Sequence, residues 1–191
     1  MRLQNKGLIA VLVCLLSASG YYYYETRNRA IDFSLDNWDK KTVTMRDLRG
    51  KVVVLAFSYA NCSVRCPVVT VRLSSLDEMM NAPQDVVYLH VSIDPEMDTP
   101  EKRKEYFTLY KLDAEKDGRW MFVSGQEDEL SKLWDFYGIE VERIKEKMLP
   151  EGYYMEYTPK IVLIDKKGSI RHEEDFFFME DEIIEKIREI A

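Results

Sequence analysis

Two cysteines, Cys62 and Cys66, stand four positions apart in the stretch "YANCSVRCP", with Arg65 between them and Pro67 directly after. Thiols at that spacing can close a disulfide, exchange disulfides with a partner, or offer two sulfurs to a soft metal. On a helical turn their Cα atoms stand roughly 6 Å apart, within disulfide reach. A bridge across so short a loop constrains little of the unfolded chain, so a passive staple explains the pair poorly. The third cysteine, Cys14, lies far away in an apolar run. The spacing therefore points to chemistry at the pair, either redox or metal.

Such a pair must be positioned. "VVVLAFS", Val52 to Ser58, is a continuous apolar run of strand length, as in a buried central strand. After the cysteines, Val69, Leu73, Leu76 and Met80 recur at helical spacing, which predicts a helix from Pro67 to about Asn81. The pair then sits where a strand ends and a helix begins, where open sheets place their sites. Unpaired N–H groups at the helix start, and the Arg65 cation, should lower a thiol pKa below its usual value of about 8.5.

The remaining chain alternates between the two periods. "DFSL" and "TVTM" read as short strands, "VVYLHVSID" as the next long one and "RWMFVS" as another. Thr99 is an N-cap candidate with Pro100 at the first helical position. Ser124 and Glu127 have capping-box spacing before a face of Leu130, Leu133, Trp134 and Tyr137. "KIVLID", a Lys-Lys-Gly turn and "SIRHEE" read as a hairpin, and Ile183, Ile184, Ile187 and Ile190 share one side of a last helix. Residues 140–156 show no regular pattern. The alternation predicts an α/β domain, a central sheet with helices on both faces.

The 191 residues fit one domain behind an N-terminal segment, and 46% hydrophobic residues suffice for a core. The net charge of −7 is interspersed, and no basic stripe suggests nucleic acid. Gly7 to Tyr24 runs 18 residues without a charge, behind Arg2 and Lys6 and ending in four tyrosines. As a helix it would be roughly 27 Å long, near the thickness of a bilayer core. Residues 1–24 thus read as a membrane anchor, or alternatively as a signal cleaved near "SASG". Residues 25–31 form a polar linker and 32–191 the domain. The basic flank keeps the N-terminus in the cytoplasm and puts the domain on the outer side, where disulfides persist.

The motifs "DLRGKVVVLAFSYANCSVRCP", "VSIDPEMDTP", "RWMFVSG" and "YGI", in this order, resemble the Sco/SenC family. The likeness spans about Asp32 to the C-terminus. It implies a thioredoxin-like fold, a membrane anchor and a role in assembling the copper centre of cytochrome c oxidase. It also implies that Cys62 and Cys66 are redox-active, metal-binding thiols able to form a Cys62–Cys66 disulfide. Asp94 and Asp98 match the family's acidic segment. Pro159, in "YTPKIVLID", stands where thioredoxin-like proteins place a cis-proline against the cysteines, and is expected to be cis. One position departs: the family's histidine ligand falls on Tyr157, and a neutral phenol binds copper(I) poorly. His90 and His172 read as surface or half-buried residues; Met148 and Met155 are candidate thioether substitutes.

Two functions follow. One is a thiol–disulfide oxidoreductase in which Cys62 attacks and Cys66 resolves. The other is a copper(I) metallochaperone with a replaced third ligand. Both act on a thiol or copper-site protein, for which the resemblance suggests an oxidase subunit. The compartment would be the periplasm, or the mitochondrial intermembrane space.

Overall fold

The computed structural model describes residues 28–63, 65–112, 118–175 and 177–191. The segment expected to anchor the chain, residues 7–24, and Cys14 lie outside them. Among the described residues no helix is long and apolar enough to cross a membrane.

A seven-stranded sheet runs in the order β2-β1-β5-β4-β3-β8-β9. Its strands are β1 (Ser34–Asn37), β2 (Thr42–Thr44), β3 (Val52–Ser58), β4 (Val86–Ser92), β5 (Trp120–Ser124), β8 (Ile161–Ile164) and β9 (Ile170–Glu174). β3, β4 and β5 are parallel, while β1, β8 and β9 join through antiparallel pairs. Every residue of β3 and β4 is buried, as two strands covered on both faces must be.

Among the described residues four helices cover this sheet: α1 (Arg65–Met79), α2 (Pro100–Leu109), α3 (Glu127–Tyr137) and α4 (Glu180–Ile190). Val69, Leu73 and Leu76 of α1 are buried, as their spacing predicts. α1 starts two residues before the predicted Pro67. The Thr70 and Tyr106 hydroxyls share a 2.5 Å hydrogen bond and so join α1 to α2. α4 packs beside α1, where Arg72 pairs with Glu180 at 2.7 Å. α3 lies under the Phe57 side of β3, with the Phe57 and Tyr137 rings 5.8 Å apart.

Thr99 caps α2 as expected, accepting from the Lys102 N–H at 3.3 Å. The Ser124–Glu127 capping box does not form. Gln126 is the N-cap of α3, and Ser124 is still inside β5, where its main chain serves the sheet. The patternless stretch is also regular: β6 (Val141–Lys145) and β7 (Tyr153–Tyr157) pair antiparallel as a separate hairpin. Its outward side chains are mostly charged and its core contact is one-sided, so no long apolar alternation marks it.

His90, expected near the surface, is fully buried, with Nδ1 3.0 Å from Ser58 Oγ. The run of apolar neighbours in β4 puts it in the core, among the Tyr106, Phe107 and Phe122 rings.

Arg119 makes a two-pronged ion pair with Asp77 at 2.6 and 2.9 Å, both side chains buried. Arg119→Ala should cost roughly 3–5 kcal/mol, because Asp77 keeps a buried charge without its partner. A shift of the urea midpoint equivalent to less than about 1 kcal/mol would contradict this account of the α1–β5 junction.

Candidate functional site

β3 ends at Ser58, and the chain turns through Tyr59, Ala60 and Asn61 to Cys62, whose N–H donates to the Tyr59 carbonyl at 3.2 Å. Cys62 is partly exposed; Cys66, in the first turn of α1, is completely buried. The Cys66 N–H donates to Cys62 Sγ at 3.1 Å. One orphan donor of the helix start is thus aimed at the upstream sulfur, where a thiolate can accept it.

Both cysteines are thiols in this structure. Burial, followed by the hydrogen bond and charge of Cys62, pushes the Cys66 thiol well above its usual range. This corrects the expectation of a lowered pKa for that residue. The helix start cannot offset complete desolvation. Arg65 does not supply a cation devoted to the sulfurs either. Its guanidinium pairs first with Glu156, at 2.7 Å, and reaches the Tyr157 carbonyl at 3.5 Å.

Tyr157, the last residue of β7, points inward, and its hydroxyl lies 3.4 Å from Cys66 Sγ. Burial, then the charge of Cys66, lifts the Tyr157 phenol far above its usual range. Burial, then the charges of Cys62 and Cys66, does the same to Tyr59. Both phenols are therefore neutral O–H groups beside the sulfur pair. The Thr158–Pro159 peptide is trans, which corrects the expected cis-proline. Pro159 stands just outside β8, where it has no ladder N–H to supply and an ordinary trans bond meets no obstacle.

The acidic segment holds the loop. Asp98 accepts from the Ala60 N–H at 2.7 Å and from the Ser92 hydroxyl at 2.6 Å. Asp94 accepts from the Tyr153 hydroxyl at 3.0 and 3.2 Å and faces Arg143 at 3.5 Å. Arg143 also pairs with Glu96 at 2.7 Å and lies over the Tyr153 ring. One aspartate therefore ties the cysteine loop to the sheet, and the other ties the β6–β7 hairpin to the loop after β4.

Sequence reasoning passed over Tyr59, Tyr153, Arg143 and Glu156. A signal was present: Tyr153, Met155 and Tyr157 alternate, and all three turn inward.

The donor set decides what metal the site suits. Among the described residues, no three or more Cys, His, Asp or Glu side chains converge on one point. His90 is enclosed in the core, and His172 pairs with Glu174 at 3.0 Å. Met148 is 92% exposed, whereas Met155 is buried against a cavity lined by Ile93, Trp134 and Val141. Two sulfurs suit copper(I), but the neighbouring third group is a phenol, a poor ligand for it.

The SCO1/SenC family model matches residues 23–191. A SCO1 protein homolog of Bacillus subtilis is 30% identical over 151 residues, which is 77% of this chain and 75% of that protein. Bradyrhizobium japonicum ScoI, solved with copper bound, has a TM-score of 0.72 at 24% identity, covering 85% of this chain and 99% of its own. BsSco, whose disulfide switch was identified in a family of cytochrome c oxidase assembly proteins, has a TM-score of 0.68 at 24% identity, covering 85% and 93%. The structural likeness shows a thioredoxin-like α/β fold with a mixed central sheet.

Two buried groups near the loop carry opposing pH dependences. Burial pushes the Asp98 carboxyl from 3.8 up to about 7, so the folded protein keeps a proton that the unfolded chain releases, and stability falls as pH rises across that window. Burial pushes His90 from 6.5 down to about 3, so the unfolded chain takes a proton that the folded protein refuses, and stability falls on acidification. Between about pH 4 and 6.5 these slopes cancel. Asp98→Asn leaves His90 uncompensated, and its unfolding free energy should drop on acidification by up to roughly 1.4 kcal/mol per pH unit relative to wild type. Urea titrations across that window test this; parallel curves for the two proteins would refute it.

Proposed function

The chain belongs to the SCO1/SenC family, and from that premise we propose that it works in respiratory oxidase assembly by thiol–disulfide exchange through Cys62 and Cys66. The observation that carries this reading is the asymmetry of the pair: Cys62 reaches solvent, Cys66 is buried behind it, and the Cys66 N–H touches the Cys62 sulfur. An attacking thiol must be accessible, while a resolving thiol needs access only to its partner.

The Cys62 thiolate attacks one sulfur of a partner disulfide, and the other partner sulfur leaves as a thiolate and takes up a proton. Cys66 then loses its proton and attacks Cys62 Sγ. The mixed disulfide breaks, the second partner thiol is released, and a Cys62–Cys66 disulfide remains. Two electrons have passed to the partner. Until that step the raised pKa keeps Cys66 protonated, and the Tyr157 hydroxyl is placed to hydrogen-bond the thiolate as it forms. The acidic segment and hairpin position the loop against the partner.

The second reading is delivery of copper(I) as cargo. It is favoured by the two convergent sulfurs here and by the copper bound in the Bradyrhizobium relative. Cys62 and Cys66 would hold the ion, with Tyr157 in place of the family's histidine. In both readings residues 7–24 anchor the chain, and the domain works on the outer side of the membrane.

Cys66→Ser should accumulate a mixed disulfide with its partner, visible on non-reducing gels and dissolved by reductant, while Cys62→Ser should not. Trapping by Cys62→Ser would reverse the roles, and trapping by neither would sink the exchange reading. Titration of copper(I) against a competing chelator separates the second reading. Weak wild-type binding, raised roughly 10- to 100-fold by Tyr157→His, fits the exchange protein. Tight wild-type binding lost on changing Met155 or Met148 fits the chaperone.

A further inference from the structure

The chain enters the domain at the end of the sheet farthest from the thiols. Arg29 forms a bridge with Ser169, the Ala30 N–H donates to the Gly168 carbonyl at 3.0 Å, and the Ile170 N–H donates to the Asn28 carbonyl at 2.6 Å. The turn at Gly168 meets the loop before β3, where the Gly50 N–H donates to the Lys166 carbonyl at 2.9 Å. β3 leads away from this end for seven residues, roughly 23 Å, before the cysteine loop begins.

This end is cationic on a chain of net charge −7. It gathers Arg29, Arg46, Arg49, Lys51, Lys166 and Lys167. The three arginines and Lys167 are exposed. The Arg49 guanidinium lies over Gly168, where any Cβ would clash. Three of the carboxylates nearby are already engaged, while Glu78, beside Met79, is exposed. Asp47 accepts from the Thr44 N–H and hydroxyl, Asp85 pairs with Lys166 at 2.8 Å, and Asp165 binds Arg171 at 2.6 Å and the Ser169 N–H. α1 also ends here, with Met79 51% exposed.

We propose that this basic end is a docking face for an anionic lipid surface, which holds the cysteine loop pointing away from the membrane. The proposal rests on the reading of residues 7–24 as the anchor. Three residues separate Tyr24 from Asn28, a reach of at most about 14 Å over the four steps, so the basic end is the part of the domain next to the bilayer. Lysines and arginines placed there are drawn to anionic headgroups, and Met79 offers an apolar contact between them. Docking by this face puts the thiols more than about 20 Å above the headgroups. The partner must then present its disulfide or metal site at that height.

The test uses the full chain reconstituted in vesicles of phosphatidylcholine alone or with about 30% phosphatidylglycerol. Amine-reactive labelling, read residue by residue by mass spectrometry, compares Lys51, Lys166 and Lys167 with Lys102 and Lys147 at the cysteine end. In anionic vesicles the first three should label about threefold or more slowly, and the difference should vanish at about 0.5 M salt or in Arg46→Gln/Arg49→Gln. Equal labelling in both vesicles, protection that survives salt, or protection of Lys102 and Lys147 instead would overturn the proposal. Thiol chemistry takes no part in this readout, so it does not share the fate of the exchange reading. Loss of the chain from neutral vesicles, with salt-sensitive retention on anionic ones, would overturn the anchor and still support the basic face.

Discussion

The site depends on one buried carboxyl. Asp98 binds the Ala60 N–H on one side and the Ser92 hydroxyl on the other, and so fastens the loop after β3 to the end of β4. With the buried Tyr59 ring and the Ile93 N–H on the Ser58 carbonyl at 3.0 Å, that link fixes the turn from Tyr59 to Cys62 against the sheet. The raised pKa of Asp98 is a consequence of its place: a group that joins two strand ends from inside cannot also be solvated. The Asp-Pro-x-x-Asp segment is therefore a buttress for the thiols, acting through hydrogen bonds.

The second aspartate extends the same device. Asp94 receives the Tyr153 hydroxyl and faces Arg143, and the β6–β7 hairpin is seated by those contacts and by the Arg65–Glu156 pair. Seating the hairpin places Tyr157 on Cys66. The environment of the inner sulfur is thus set by a strand pair outside the main sheet, at more than ninety positions' remove in sequence. The hairpin also lends Met155 and Tyr157 to the core, so the packing there and the surroundings of the dithiol are linked.

The asymmetry of the pair follows from the geometry of a strand-to-helix turn. Cys62 precedes the first helical turn and faces outward, whereas Cys66 lies on the helix face that packs on the sheet with Val69 and Leu73. The helix start offers its N–H groups to the outer sulfur, and burial raises the pKa of the inner one. Two identical side chains acquire different properties because one helical turn carries one of them from solvent into the core.

Local pattern was enough to determine the central strand, the helix behind the cysteines, the cap at Thr99, the closing β8–β9 hairpin and the thiol pair, because each is written in contiguous residues as period, cap or turn chemistry. Motif order carried the family and with it the fold. Tertiary structure alone decided the rest. The β6–β7 hairpin is short and covered on one side, so its residues show no strong period. Tyr59, Tyr153 and Arg143 matter through contacts with groups distant in sequence. His90 is buried because β4 is covered on both faces, which a single strand cannot announce. The Cys66 thiol is raised because desolvation, a property of everything packed around it, outweighs the helix start and the nearby arginine, the only influences that the neighbouring residues could reveal.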